Sequence, residues 1–172
     1  MTTGDSTDRS VVIWVSEGTW RAAVDAALSL APVAARFTLL HVSAAAADAA
    51  HGAYAGLLGR RGHDPGERLD ALEASSAAAL LDAAEARLGR PCERREIHDQ
   101  AERAVVAAAA EADLLIVARD GDRSRLGPKS LGHATRFVVD HAACPVLLVW
   151  PEPAPGVGTM PPPPHHRHRP GR

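Results

Sequence analysis

The sequence predicts an α/β domain with a doubly wound, five-stranded parallel sheet and helices on both of its faces. Short runs of nearly continuous apolar residues alternate along the chain with longer segments whose apolar residues recur at helical spacing. Parallel strands that are covered on both faces have this continuous apolar character. Because strand–helix alternation implies right-handed crossovers, we expect the strands to lie in the order 3-2-1-4-5.

Five runs are assigned to strands: residues 11–15, 37–42, 92–98, 113–118 and 145–150. The third run, "CERREIH", mixes charged and apolar residues, which predicts a more exposed strand at an edge of the sheet. Four helices are assigned between the strands: residues 19–31, 67–88, 100–112 and 131–143. Thr19 and Asp99 stand where the caps of the first and third helices are expected, and Ser130 is a candidate cap of the fourth.

The chain divides into three parts. Residues 1–10 form a polar N-terminal arm, and residues 11–150 form the domain, in which residues 43–66 are a long loop. Residues 151–172, "PEPAPGVGTMPPPPHHRHRPGR", form a Pro-rich tail that we expect to be extended or disordered. At 172 residues the chain has the length of one domain with a substantial core.

Composition argues against several classes of protein. A net charge of −2 does not suit a nucleic-acid binder, and no apolar run approaches the length of about 20 residues that spans a bilayer. The N-terminus is polar and lacks the apolar segment of a secretory signal. Two distant cysteines, Cys92 and Cys144, indicate neither a zinc site nor a disulfide framework. A cytoplasmic location is therefore expected.

The segment "ARDGDRSRLGPKSLGHATRF", which follows the fourth strand, carries the strongest functional signal. Gly121, Gly127 and Gly132 would let the backbone approach an anion, and the helix that begins near Leu131 would supply free N–H groups. Ser130 could lend a hydroxyl to a phosphate. A solvated crossover loop explains the same composition, so both interpretations stay open. The spacing and position exclude a Walker A loop, and the nucleotidyl-transferase signature H-x-G-H is absent.

Three segments, taken in order, resemble the universal stress protein family over residues 11–150: "TLLHV", "AERAVVAAAAEADLLIVARDG" and "SLGHATRFVVDHAACPVLLV". The resemblance implies a Rossmann-like five-stranded domain, frequently dimeric through its last strand. It also implies ATP or a related adenine nucleotide as the ligand of many members, with no settled enzymatic reaction.

The nucleotide motif of that family is G-x-x-G, nine residues, then G-[ST], together with an aspartate after the first strand. Here Ala118 takes the place of the first glycine, while Gly121 and Gly132 match the second and third with ten residues between them. His133 replaces the serine or threonine, and Ser16 replaces the aspartate. By the same resemblance, the backbone of Val42 would meet the adenine. Ser130 and Ala134, on either side of Gly132 and His133, complete the set of predicted cofactor-binding residues.

Three hypotheses about function stay open, and none of them assigns a catalytic or metal-binding residue. The first is a stress-response or regulatory protein that acts by binding, with a weak or lost adenine-nucleotide site. The second is a genuine ATP-binding protein with slow hydrolysis or phosphotransfer. The third is a ligand-free dimeric scaffold for a protein partner. In each case the apolar last strand predicts a homodimer through Val146, Leu148 and Trp150, because folded proteins rarely leave such an edge uncovered.

Overall fold

The computed structural model describes residues 9–31, 34–44 and 65–162. Its sheet has five parallel strands in the order β3-β2-β1-β4-β5, which confirms the predicted order. The strands are β1 Ser10–Trp14, β2 Arg36–Ala44, β3 Cys92–Asp99, β4 Leu114–Ala118 and β5 Val146–Val149. Because β1 lies between β2 and β4, the direction of winding reverses between β1 and β4, where Val11 is in register with Leu114.

Among the described residues, four α-helices connect the strands: α1 Trp20–Leu30, α2 Pro65–Leu88, α3 Ala101–Ala109 and α4 His133–His141. Two short 3-10 turns, Pro128–Ser130 and Val157–Thr159, flank α4 and β5 along the chain. No helix in the described ranges combines the length and the apolar character that a membrane span needs.

Two apolar layers cover the faces of the sheet. On one face α1 and α2 pack Val24, Ala27 and Leu81 against Ile13 and Leu39, all of which are buried. On the other face α3 and α4 contribute a second layer of buried residues: Val105, Ala108, Ala109 and Val138, packed on Val12, Leu40, Leu115 and Val117. The continuous apolar runs of β1 and β4 are thus buried on both faces, as parallel central strands must be.

The residues that cap the helices differ from the expectation in two places. Thr19 is the N-cap residue of α1, as predicted, although its side chain makes no capping bond. Gln100, and not Asp99, is the N-cap residue of α3; the Asp99 carboxylate accepts the Gln100 amide at 2.6 Å. Ser130 does not cap α4, because a 3-10 turn precedes that helix and Gly132 takes the N-cap position.

Several predicted segments fall partly outside the described residues, namely residues 1–8 of the arm, 45–64 of the long loop and 163–172 of the tail. The described part of the tail, residues 151–162, is non-helical apart from the turn Val157–Thr159. β3 is an edge strand with only three of its eight residues half-buried, in agreement with its mixed sequence. β5 forms the opposite edge, and its four residues are all half-buried.

Candidate functional site

The carboxyl ends of β1 and β4 meet where the sheet reverses its winding, which is where open α/β sheets bind ligands. Ser16 follows β1, and its carbonyl accepts the amides of Thr19 at 3.3 Å and Trp20 at 3.0 Å. The side chain of His41 on β2 is hydrogen-bonded through Nδ1 to the Val15 carbonyl at 2.9 Å. The backbone at the start of this crevice is therefore fixed by internal bonds.

Residues 119–132, here named the crevice loop, fold back on themselves after β4. The amide of Gly121 donates to the Ser130 carbonyl at 3.0 Å, and the amide of Asp122 donates to the Lys129 carbonyl at 2.8 Å. A Cβ on Gly121 would clash with the Lys129 oxygen and lie 2.9 Å from the backbone of Ser130 and Leu131. Gly121 is therefore required for the two arms of the loop to approach each other.

The N-terminus of α4 is occupied by a carboxylate of the same loop. Oδ1 of Asp120 accepts the backbone amide of Gly132 at 2.7 Å. A Cβ on Gly132 would lie 2.7 Å from Oδ2 of the same carboxylate, so Asp120 fills the space that the glycine leaves open. Helix N-termini attract anions because their free N–H groups and the helix dipole favour negative charge. Asp120 supplies that charge from within the chain.

Arg119 is the first residue of the crevice loop, and its guanidinium has partners within the chain. Its guanidinium donates to the hydroxyl of Ser130, which is fully buried and donates in turn to the Gly127 carbonyl at 2.7 Å. The same guanidinium lies 4.6 Å from the ring centroid of Trp150, within cation–π distance. Arg119 Nε is buried without a hydrogen-bond partner among the described residues.

Residues 151–162, here named the strap, lie against the outer part of the crevice loop. Arg123 Nε is 2.9 Å from Glu152, and the Leu126 amide donates to the Thr159 hydroxyl at 3.0 Å. Gly127 has a φ of +130°, and the ring of Pro161 is 3.5 Å from the position that its Cβ would take. A cleft of about 660 Å³ lies between the two segments and is lined by Gly121, Asp122, Arg123, Ser124, Glu152, Pro153 and Pro155.

Asp122 is held at the turn of the loop by local bonds. Its Oδ1 accepts both the amide of Ser124 at 3.0 Å and the Ser124 hydroxyl at 2.6 Å. These hydrogen bonds, with a smaller contribution from the positive charges of Arg125 and Lys129, lower the pKa of Asp122. The carboxylate is thus ionised at neutral pH, and Arg125 Nε lies 3.5 Å from its other oxygen.

The predicted site residues fall into two groups. Ser16, Val42 and Ala118 stand at or beside the carboxyl ends of β1, β2 and β4. Gly121, Ser130, Gly132, His133 and Ala134 belong to the crevice loop and the first turn of α4, where His133 is exposed and Ala134 is half-buried.

The hydroxyl of Ser130 is directed into the loop by its bonds to Gly127 and Arg119. Neither Asp120 nor Arg119 was among the residues predicted for the site. Their position immediately after a buried strand was the available signal, because ligands of open sheets meet residues there.

A second cleft, of about 740 Å³, lies at the amino ends of β1, β2 and β3, away from the crevice. Among its lining residues, Arg95 is paired with Glu93 at 3.2 Å and with Glu111 at 3.7 Å. Within residues 9–31, 34–44 and 65–162, no group of three or more His, Cys, Asp or Glu side chains is arranged to hold a metal ion.

Comparison with known proteins identifies the fold independently. The sequence profile described as the universal stress protein family matches residues 10–149. Among solved structures, hypothetical protein MJ0577 is 16% identical, with a TM-score of 0.64 over 86% of this chain and 99% of its own. A universal stress protein in complex with cAMP is 21% identical, with a TM-score of 0.56 over 84% and 98%.

Universal stress protein UspA from Lactobacillus plantarum is 20% identical, with a TM-score of 0.57 over 83% of this chain and 97% of its own. No curated protein sequence matches the chain.

Proposed function

Since the chain belongs to the universal stress protein family, we propose that it is a regulatory protein that acts by binding. In this proposal the carboxylate of Asp120 blocks the part of the crevice where the phosphates of a ligand would bind. The observation that carries this proposal is the bond from the Gly132 amide to Asp120 at 2.7 Å. A phosphate that approached the first turn of α4 would have to displace the Asp120 carboxylate or bind close to its negative charge. Either event weakens binding.

The charge of Asp120 would repel an incoming phosphate. Two unit charges 4 Å apart interact by about 4 kcal/mol at the effective dielectric near a protein surface. Asp120 is exposed, so water reduces the repulsion that the phosphate meets. A remaining penalty of about 1.4 kcal/mol would weaken binding about tenfold. The affinity for ATP should therefore be lower than an open crevice of the same shape would give.

The adenosine end of the crevice would be formed by the backbone of β2. Val42 lies in β2, beside the bond that joins His41 to Val15. A backbone contact to adenine does not depend on the side chain at position 42. One structural neighbour is a universal stress protein in complex with cAMP. We therefore propose an adenine-nucleotide ligand with few phosphates, bound weakly, as the small molecule that fits the crevice best.

Titration calorimetry with ATP, ADP, AMP and cAMP in the presence of magnesium tests the proposal. We expect weak or absent binding of ATP to the wild-type chain. Asp120→Ala should bind ATP at least about tenfold more tightly. Asp122→Asn is the matched control. It removes the charge of a second carboxylate in the same loop, and that carboxylate is bonded to Ser124 and not to α4. Tight binding of ATP by the wild type, unchanged in Asp120→Ala, would contradict the proposal and favour the ATP-binding alternative.

We also propose that the chain forms a homodimer through β5. The supporting observation is that Val146–Val149 is an edge strand with apolar side chains that are only half-buried. Pairing with a second copy would satisfy the free backbone groups and cover Val146 and Leu148. Trp150 follows the strand and already contacts Arg119, so the interface would adjoin the crevice loop.

We propose, finally, a cytoplasmic location. Cys92 and Cys144 are both free thiols, which agrees with a reducing compartment. Burial raises the pKa of both thiols, so neither has the lowered pKa that marks a reactive cysteine. We expect the cysteines to act as small core residues in the cell.

A further inference from the structure

The strap contacts the crevice loop through interactions of different kinds. The ion pair between Arg123 and Glu152 has a length of 2.9 Å. The Leu126 amide donates to the hydroxyl of Thr159, and that hydroxyl donates to the Gly156 carbonyl at 2.7 Å. Because the hydroxyl is held by its own donor bond, its oxygen is directed at the loop as an acceptor. The strap is thus docked by specific polar contacts.

Donor groups of the crevice loop that an anion could use have partners within the chain. Glu152 places a carboxylate on the guanidinium of Arg123, and Asp120 places another on the amide of Gly132. The guanidinium of Arg119 faces the ring of Trp150, the residue that leads into the strap. Two internal carboxylates and one aromatic ring therefore stand at donor groups of the crevice loop.

We propose that residues 151–162 are an autoinhibitory strap that competes in cis with phosphate-bearing ligands for the crevice loop. This inference rests on the proposed function, because it concerns the same loop, but it assigns a role to a segment that the binding proposal does not need. A tethered segment acts at an effective concentration on the order of millimolar, so weak contacts are enough for it to compete with a dilute ligand.

The strap can detach without unfolding the domain. Arg123 and Glu152 are 35% and 55% exposed, and ion pairs between exposed side chains stabilise a fold only weakly. Val157 and Met160 on the strap are 75% and 58% exposed, so they add little apolar burial. Detachment would free Arg123 and the Leu126 amide and would open the cleft of about 660 Å³ between strap and loop.

The test uses the full chain and inorganic pyrophosphate as the probe, measured by calorimetry. Thr159→Val removes the acceptor of the Leu126 amide without a change of charge, and Glu152→Gln weakens the ion pair. Each is made in the wild-type chain and in Asp120→Ala. We expect each variant to bind pyrophosphate at least about threefold more tightly than its parent. Thr159→Ser, which keeps the hydroxyl, and Glu111→Gln, which removes a charge near the other cleft, should leave the affinity unchanged.

Hydrogen exchange of the Leu126 amide supplies a readout without any ligand. Thr159→Val should speed its exchange at least about tenfold, whereas Thr159→Ser should not. The strap proposal would be overturned if the strap variants of both parents bound pyrophosphate with unchanged affinity. It would also be overturned if Thr159→Val left the exchange of the Leu126 amide unchanged. Failure of the proposed function would look different: Asp120→Ala alone would then fail to tighten pyrophosphate binding, whatever the strap variants do.

Discussion

The carboxylate of Asp120 accepts the amide of Gly132 at 2.7 Å, across the loop that joins β4 to α4. This bond satisfies one of the four N–H groups that every helix leaves free at its start. It also places a negative charge at the positive end of the helix dipole. The same contact therefore stabilises the loop and occupies the position that an anionic ligand would take.

Removal of the Asp120 carboxylate should destabilise the domain and make its free energy of unfolding depend on anions that bind helix N-termini. We expect Asp120→Ala to lower the free energy of unfolding by about 1 kcal/mol, the usual worth of a charged group at a helix start. Sulfate, which binds free helix N-termini, should restore part of that loss relative to chloride at equal ionic strength. Urea denaturation in the two salts measures both effects. Equal responses of wild type and variant to sulfate would contradict the account.

A methyl group at Gly121 should disrupt the crevice loop. Its Cβ would clash with the Lys129 carbonyl oxygen and lie 2.9 Å from the backbone of Ser130 and Leu131, and backbone atoms cannot rotate away. We expect Gly121→Ala to lower the free energy of unfolding by about 1–3 kcal/mol. Gly158→Ala is the matched control, because a Cβ there meets nothing within 4 Å. Equal urea midpoints for the two variants would refute the loop geometry.

The ion pair between α1 and α2 should make stability depend on pH in the acid range. Arg87 donates to both carboxylate oxygens of Asp25 at 2.6 and 2.8 Å, and this hydrogen bonding lowers the pKa of Asp25. The folded pKa lies below the unfolded value of about 3.9, so the contribution is present above that pH and is lost as pH falls through the folded pKa.

The effect of this pair should be small, because Arg87 and Asp25 are 43% and 49% exposed. Asp25→Asn should abolish the corresponding part of the pH dependence, which denaturation curves between about pH 2.5 and 6 would reveal. Ser29→Ala on the same helix, which leaves the ion pair intact, should follow the wild-type curve. If the free energies of unfolding of wild type and Asp25→Asn changed in parallel with pH, this ion pair would not be a source of the acid dependence.

A charge at the centre of β5 should prevent dimer formation. Leu148 is half-buried on the edge strand, and an arginine facing its twin across a two-fold axis would bring like charges together. We expect Leu148→Arg to elute as a monomer in light-scattering chromatography, with an unchanged far-ultraviolet circular dichroism spectrum. Leu30→Arg, at a 66% exposed position on α1, should remain a dimer. A folded Leu148→Arg dimer would show that the interface lies elsewhere.

The sheet could be predicted from the sequence because β1 and β4 are buried on both faces and therefore apolar throughout. Val11, Ile13 and Val117 each have an exposure of 1% or less, and short apolar runs of this kind are typical of central parallel strands. The edge position of β3 followed from its arginines for the same physical reason.

The state of the crevice could not be predicted, because it depends on contacts between residues that are distant in sequence or on loop geometry. Asp120 reaches Gly132 only because Gly121 lets the two arms of the loop pair. Ser130 was expected at the helix start, but the turn Pro128–Ser130 buries it three residues before α4 begins. Thr159 meets Leu126 from 33 residues away, and composition alone predicted no contact for the tail.

A crystal structure of the full wild-type chain grown from ammonium sulfate tests the central claim most directly. We expect the Asp120 carboxylate within hydrogen-bond distance of the Gly132 amide, with no sulfate on the first turn of α4, and a sulfate at that turn in Asp120→Ala. A sulfate bound to the Gly132 amide of the wild type, with Asp120 turned away, would contradict the claim that the chain closes its own anion site.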